Sequence, residues 1–410
     1  MKIPNGWEKV QFGDVVSKIN DKVSNREEWT FERYIGGEHF EEGEIRITRS
    51  ASIEGNEEVI GSAFHMRFKP GQVLYVTRNP RLRKGGMVDF EGVCSNVSFV
   101  MKADETKLLQ SLLPFIIQTE DFVKHTCNNA HGSTNPFLNW KDIAKYEFLL
   151  PPIEEQKRIS EVLWEIENNL EMCENDINKS IKLKEILGRE LLTKGINFNE
   201  LRKDKNFEYD EINTNWKVVN LSDVCSVTDG AHFSPKECDN DKIIGNVKDM
   251  EENGFNYNAC TRISNEDFEK LKKWGSSPLK GDVLFSKDGT IGRVFVFDGK
   301  KEMVLLSSIA IIRPLDNVNS YYISELFRSI IFNKQLEKLK SGTALRRIVL
   351  KSLKTFKFPL PSTESEQNKI VKKLECMNNL IYMKKKYLLN MKNLRNKLFN
   401  ELLSGKLRLN

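Results

Sequence analysis

Three groups of residues in this sequence carry side chains suited to holding a polyanion. They are Arg78, Arg81, Arg83 and Lys84 in "TRNPRLRK", Lys287 and Arg293 in "KDGTIGR", and Arg346 with Arg347. All lie in stretches that read as loops, where guanidinium and ammonium groups can reach phosphates or the O6/N7 edge of guanine. Asn79, Asp288 and Thr290 add polar side chains suited to base or sugar contact. Taken singly, each charge also fits a solvated surface position, and "KDGTIGR" also fits a glycine-rich hairpin between strands.

Catalytic chemistry is harder to find. No G-x-x-x-x-G-K-[ST] phosphate loop occurs, as a translocating ATPase would need. "TNPFLNW" at 134–140 has one proline where an amino-methyltransferase motif has two, and no glycine-rich methyl-donor loop precedes it. The five histidines, His39, His65, His125, His131 and His232, lack zinc-protease spacing, and Cys225, His232 and Cys238 are too irregular for a metal site. The seven cysteines are odd in number and contain no C-x-x-C pair, which fits reduced thiols rather than a disulfide framework. No metal site and no cofactor site is expected in this chain.

The elements that position these residues come in duplicate. "WEKVQFGDVVS" at 7–17 aligns with "WKVVNLSDVCS" at 216–226, and "GQVLY" at 71–75 with "GDVLF" at 281–285. Gly132 then aligns with Gly342 and Pro151 with Pro361; Glu155-Gln156 pairs with Glu366-Gln367, and Glu190-Leu191-Leu192 with Glu401-Leu402-Leu403. A repeat of about 210 residues implies two domain-plus-helix units with approximate two-fold character, not a solenoid of short repeats. Within each unit, apolar runs such as "GQVLYV", "VSFVM", "GDVLFS" and "SSIAIIRP" read as strands. The stretches 107–127 and 320–341 read as helical, which makes each domain α+β.

After each "P" doublet or "PST" the pattern changes. Pro151 and Pro152 suit a helix start, Thr363 with Glu366 has capping-box spacing, and Gly195 and Gly405 mark stops. Some 40 residues lie between, about 60 Å at ~1.5 Å per residue. Ile159, Leu163, Ile166, Leu170, Cys173, Ile177, Leu187 and Leu191 form a 3–4 stripe. Ile370, Leu374, Met377, Ile381, Leu388, Met391, Leu398 and Leu402 form its counterpart, so the two helices are expected to pair as a coiled coil. Lys184, Lys384 and Arg395 interrupt the seam, and fraying or a partner contact is expected there.

Chain-wide composition fits this reading. The 410 residues are 39% hydrophobic and 30% charged, with a formal charge of +5. No run of about 18 apolar residues is present and "MKIPNGWEKV" does not read as a signal peptide, so a soluble, cytoplasmic protein is expected.

The paired openings Trp7…Asp14 and Trp216…Asp223, with "LPPIEEQKRI" and "LPSTESEQNKI" before the long helices, resemble the specificity subunit of type I restriction-modification systems. The resemblance covers nearly the whole chain. "GDVLFSKDGTIGR" is close to that family's G-D-I-L-x-S-x-x-G-T-I-G phrase, whereas "GQVLYVTRNPRLRKGG" lacks Gly-Thr-Ile-Gly. The resemblance implies a first target recognition domain at 1–150 and a long helix with linker at 151–207. A second recognition domain at 208–360 and a second long helix at 361–410 would complete the chain. It further implies a subunit without its own chemistry that reads a bipartite double-stranded DNA target, one half-site per domain. Two methyltransferase subunits would bring S-adenosylmethionine and restriction subunits would bring ATP hydrolysis. A fused nuclease or methyltransferase, and an adaptor that only pairs other proteins, are the competing expectations.

Overall fold

A computed structural model describes residues 3–197, 200–339 and 347–409. They form two compact units. The first combines the chain up to Asn175 with the stretch from Lys386 onward, and the second runs from Asp176 to Lys385.

In the first unit, Glu8–Gln11 pairs antiparallel with Glu147–Leu150, tying the start of the domain to the residues just before its long helix. A sheet follows in the order Val16–Ile19, Ser98–Ala103, Val73–Val76, Gly85–Val88 and Arg46–Ile47, with only the last pair parallel. A second sheet holds the strands Ala51–Ser52, Arg33–Ile35, Gly92–Ser95 and Phe64–Phe68. The second unit repeats this plan. Lys217–Asn220 pairs with Lys357–Leu360, and its main sheet runs Cys225–Asp229, Ile309–Pro314, Val283–Ser286 and Val294–Val296. Val73–Val76 and Val283–Ser286 are buried along their whole length, as apolar strands covered on both faces must be.

Each stretch read as helical holds more than one helix. Thr119 separates Leu113–Ile116 from Glu120–Asn128, and Ser329 separates Ser320–Phe327 from Ile330–Leu339. The cause is local and the same in both copies. The Thr119 hydroxyl donates to the Ile116 carbonyl and accepts from Phe122 N, while that of Ser329 donates to Leu326 O and accepts from Phe332 N.

The long helices are Ile153–Lys194 and Glu364–Leu403, of 42 and 40 residues. Thr363 Oγ1 accepts from Glu366 N at 3.3 Å, but the Glu366 carboxylate turns away from the cap, so only half of the capping box forms. Gly195 and Gly405 close the helices at φ +81° and +70°. In the first unit, Glu167 meets Arg395 and Glu174 meets Lys392, so numbers rise on one helix as they fall on the other and the pair is antiparallel. Ile159, Leu163, Leu170 and Leu402 are buried in its seam, with Ile166, Cys173, Leu388, Met391 and Leu398 half-buried. The second unit also pairs its helix segments antiparallel: Asp176 meets Lys384, and Gly188 lies beside Leu374. Ile177, Leu191, Ile370, Leu374 and Ile381 are buried there, and Leu187 and Met377 half-buried.

The three seam cations do not fray it. Lys184 pairs with Glu325 at 3.4 Å, Lys384 with Asp176 and the Ser180 hydroxyl, and Arg395 with Glu167 at 2.8 Å. Each places its charge on an acceptor of its own unit while the aliphatic stem covers the seam. No helix among the described residues is long and apolar enough to cross a membrane.

Candidate nucleic-acid interface

In the first unit, the chain leaves the buried strand Val73–Val76 and turns through Arg78–Lys84 before Gly85–Val88 brings it back. That turn is tight enough to hold both Asn79 and Arg83 in the left-handed region, at φ +50° and +48°. It is stitched to the loop 129–137: Arg78 and Phe137 form an antiparallel β-bridge, Asn79 N donates to Pro136 O at 2.8 Å, and Leu138 N donates to Thr77 O at 3.0 Å. The two loops make one lip.

On this lip Arg78 is exposed, its guanidinium 5.1 Å from the Phe137 ring centre and donating to Asn135 O at 3.4 Å. Asn79 Nδ2 donates to Asn135 Oδ1 at 3.1 Å. Arg81 is exposed with no side-chain polar partner among the described residues. Arg83 pairs with Glu120 at 2.7 Å, and Lys84 donates to Gly37 O at 2.7 Å. Next to Lys84, burial pushes the Glu44 carboxyl up to about 7, with a hydrogen bond from the Glu41 backbone and the charges of Arg49 and Lys84 drawing it back. His131 closes the other side of the lip through Asp142 at 2.9 Å.

The second unit repeats the bridge with different side chains. Asp288 and Arg347 form the corresponding β-bridge, and Ile348 N donates to Lys287 O at 2.7 Å. Asp288 Oδ1 accepts from Gly289 N at 2.9 Å and its Oδ2 lies 3.7 Å from Arg347 Nε. Thr290 is exposed, and its carbonyl accepts from the Ser286 hydroxyl at 2.7 Å.

Two expected contact residues are placed otherwise. Lys287 is only 1% exposed, its ammonium 3.2 Å from Asp229 Oδ2, because its side chain leaves a strand end whose two faces are both covered. It is a strut under the lip. Arg293 donates to the carbonyls of Val247 and Met250, so its guanidinium is used in fastening its strand to the neighbouring loop. Arg346 and Gly342 lie outside the described residues. Conversely, sequence reasoning passed over Phe137, Asn135 and His131; sliding the repeat by about 210 residues sets Phe137 opposite Arg347 and would have exposed the first of them.

A duplicated α+β domain, each copy carrying the same bridge and each followed by a long helix of 42 or 40 residues, defines a tandem-repeat protein. The profile of the family described as type I restriction modification DNA specificity domain matches residues 4–183 and again 213–390, and the chain belongs to that family. It is similar to the type I restriction enzyme MjaVIII specificity subunit of Methanocaldococcus jannaschii, at 25% identity over 100% of this chain and 94% of that one. A putative MjaX specificity subunit of the same organism is 22% identical over 99% and 95%. Among solved structures, a chain described under assembly and conformational transition of the type I R-M system shares the fold. Its TM-score is 0.61, at 19% identity over 99% of this chain and 100% of that one. The type I S subunit from M. genitalium also shares it, with a TM-score of 0.53 at 12% identity over 98% of each. The protein is therefore a type I specificity subunit with two target recognition domains.

Proposed function

We propose that each recognition domain, 1–150 and 208–360, reads one half of a bipartite DNA target through its lip. The observation that carries this reading is the repeated bridge: Arg78 with Phe137 in one unit and Asp288 with Arg347 in the other. The backbone wiring recurs with different side chains, as two readers of different half-sites require. Arg81, Arg83, Lys84, Asn79, Thr290 and Arg347 supply phosphate, sugar or base contacts around these centres, and Arg346 is proposed for the same role.

The long helices set the distance between half-sites and dock two methyltransferase subunits. In the first unit they expose Met172, Tyr387, Leu389 and Leu394, and in the second Leu183, Ile186, Leu380, Tyr382 and Met383. Large apolar side chains in such density on a solvent face support a protein contact. Catalysis belongs to the partners: methyltransferase subunits bring S-adenosylmethionine, restriction subunits bring ATP hydrolysis, and the assembly acts in the cytoplasm. This chain contributes no catalytic residue.

Labelled methyl transfer to DNA tests the reading. The chain alone is expected to transfer none and the chain with its methyltransferase subunits to methylate a bipartite sequence. Transfer by the pure chain would make it a fused enzyme, and a complex without sequence preference would make it an adaptor.

A further inference from the structure

The two lips share their backbone wiring and differ in charge at the bridge. Position 78 is a cation over an aromatic ring, and position 288 is an anion beside a cation. Resting on the reading of this chain as a DNA-specificity subunit, we propose that these bridge pairs set base preference. Arg78 reads a guanine in one half-site, and Asp288 reads a base with an exocyclic amino group, cytosine or adenine, in the other.

Arg78 stands apart from its neighbours. Arg83 is neutralised by Glu120, Lys84 donates to a backbone carbonyl, Arg293 donates to the carbonyls of Val247 and Met250, and Arg81 has no side-chain polar partner among the described residues. Arg78 alone in that group is exposed, unneutralised and held. Its backbone is pinned by the bridge to Phe137 and by the adjacent Leu138 N to Thr77 O bond, and its planar fork lies against the Phe137 ring. Cation–π contact fixes the orientation of the plane, one Nη1–H donates to Asn135 O at 3.4 Å, and no other described residue takes the remaining N–H groups of the fork. A guanidinium pre-set in this way matches the paired acceptors O6 and N7 of guanine, where flexible surface arginines match any phosphate.

Asp288 cannot be a phosphate contact, since like charges repel. Its carboxylate retains acceptor capacity beyond the Gly289 N–H, which suits cytosine N4 or adenine N6. Arg347, 3.7 Å away, offsets its charge, so the lip can approach DNA without repulsion. One fold thereby reads two unlike bases from one position.

The test uses the assembled complex with methyltransferase subunits and a randomised DNA library, with methylated sequences identified by sequencing. For Arg78→Ala, guanine preference at one position of one half-site is expected to fall roughly 5- to 100-fold, with the other half-site unchanged. Arg78→Gln is expected to move that position toward adenine. Phe137→Leu, which keeps the arginine and removes its platform, should weaken the same guanine preference. Asp288→Asn should alter one position of the opposite half-site only. If Arg78→Ala lowers methylation evenly on all sequences, or keeps the parental preference, the inference is overturned while the specificity reading stands. A wild-type complex with no sequence preference would instead defeat the specificity reading itself.

Discussion

The indole of Trp7 donates a hydrogen bond to Glu155 Oε2 at 3.0 Å, and 209 residues later the indole of Trp216 does the same to Glu366 Oε2 at 3.2 Å. Each tryptophan opens a recognition domain and each glutamate lies in the first turn of a long helix. The next residue completes the joint. Gln156 accepts from Leu109 N at 2.9 Å and donates to Lys107 O and Pro151 O, while Gln367 accepts from Asn319 N at 2.8 Å and donates to Asn317 O. The Glu-Gln pair therefore fastens a domain to its helix, and it recurs because the joint recurs. The far ends of the helices meet the same joints. A Cβ at Gly195 would lie 2.9 Å from the Trp216 ring, and one at Gly405 only 2.6 Å from Pro4.

Removing the indole N–H isolates this joint. Trp7→Phe keeps the ring packing and leaves the buried Glu155 carboxylate one donor short, for an expected loss of about 1–3 kcal/mol. Trp216→Phe should act likewise on the second unit. Denaturant unfolding of each variant, read by circular dichroism, measures both. Losses under about 0.5 kcal/mol would show that the bonds are incidental to the joint.

The first joint is also acid-sensitive. Arg408, through paired bonds at 3.0 and 2.7 Å, holds Glu155 below the usual carboxylate range, with burial opposing and Trp7 assisting. In the window between the depressed folded value and the ordinary value of about 4.3, the unfolded chain binds more protons. Stability is fully present above that ordinary value and is lost as pH falls through the folded one. Melting temperatures of wild type and Glu155→Gln across pH 7 to 3 check the sign. The wild type should be the more stable at pH 7, and the gap should close on acidification. A gap constant with pH would assign the stability to packing alone.

Within the helix seam, Arg395 and Glu167 face each other with side chains only 11% and 14% exposed. Removing one charge strands the other, so Arg395→Leu alone should destabilise by about 2–4 kcal/mol. Adding Glu167→Leu should restore most of that loss, because two leucines fit a seam already lined by Ile166 and Leu398. A double-mutant cycle by denaturant unfolding gives the coupling. Additive losses in the double variant would mean that the ion pair is not the unit that matters.

How much of this was readable beforehand follows from range. The stripe Ile159 to Leu191 and its counterpart Ile370 to Leu402 are set by local periodicity, and every member is buried or half-buried. The repeat, too, lay open in the sequence. What local pattern could not give were partners far away in the chain. Lys384 looked like a fault in the seam until Asp176 stood opposite, and Lys287 looked like a loop cation until Asp229 met it inside. Glu366 had capping-box spacing, but the Trp216 indole, 150 residues distant, claimed its carboxylate. Within the lip, Arg78 was legible by residue type, whereas its platform Phe137 is chosen by a bridge between two loops.

Helix length can be changed without changing either domain. Four residues lengthen an α-helix by about 6 Å and turn it only about 40° past a full turn. Inserted near Lys182 in one helix alone, they would pull Lys184 from Glu325 and slide Gly188 past Leu374, so the seam beyond would lose its register. A matching insertion near Ile381 in the antiparallel partner should preserve the pairing on both sides. If the helices set the separation of the half-sites, the doubly lengthened subunit, assembled with methyltransferase subunits, should prefer a gap one or two base pairs longer, at roughly 3.4 Å per pair. Both half-site sequences should stay as they were. Methylation of a library with gaps of every length is the measurement, and an active complex that keeps the parental gap would show that the helices join the domains without measuring between them.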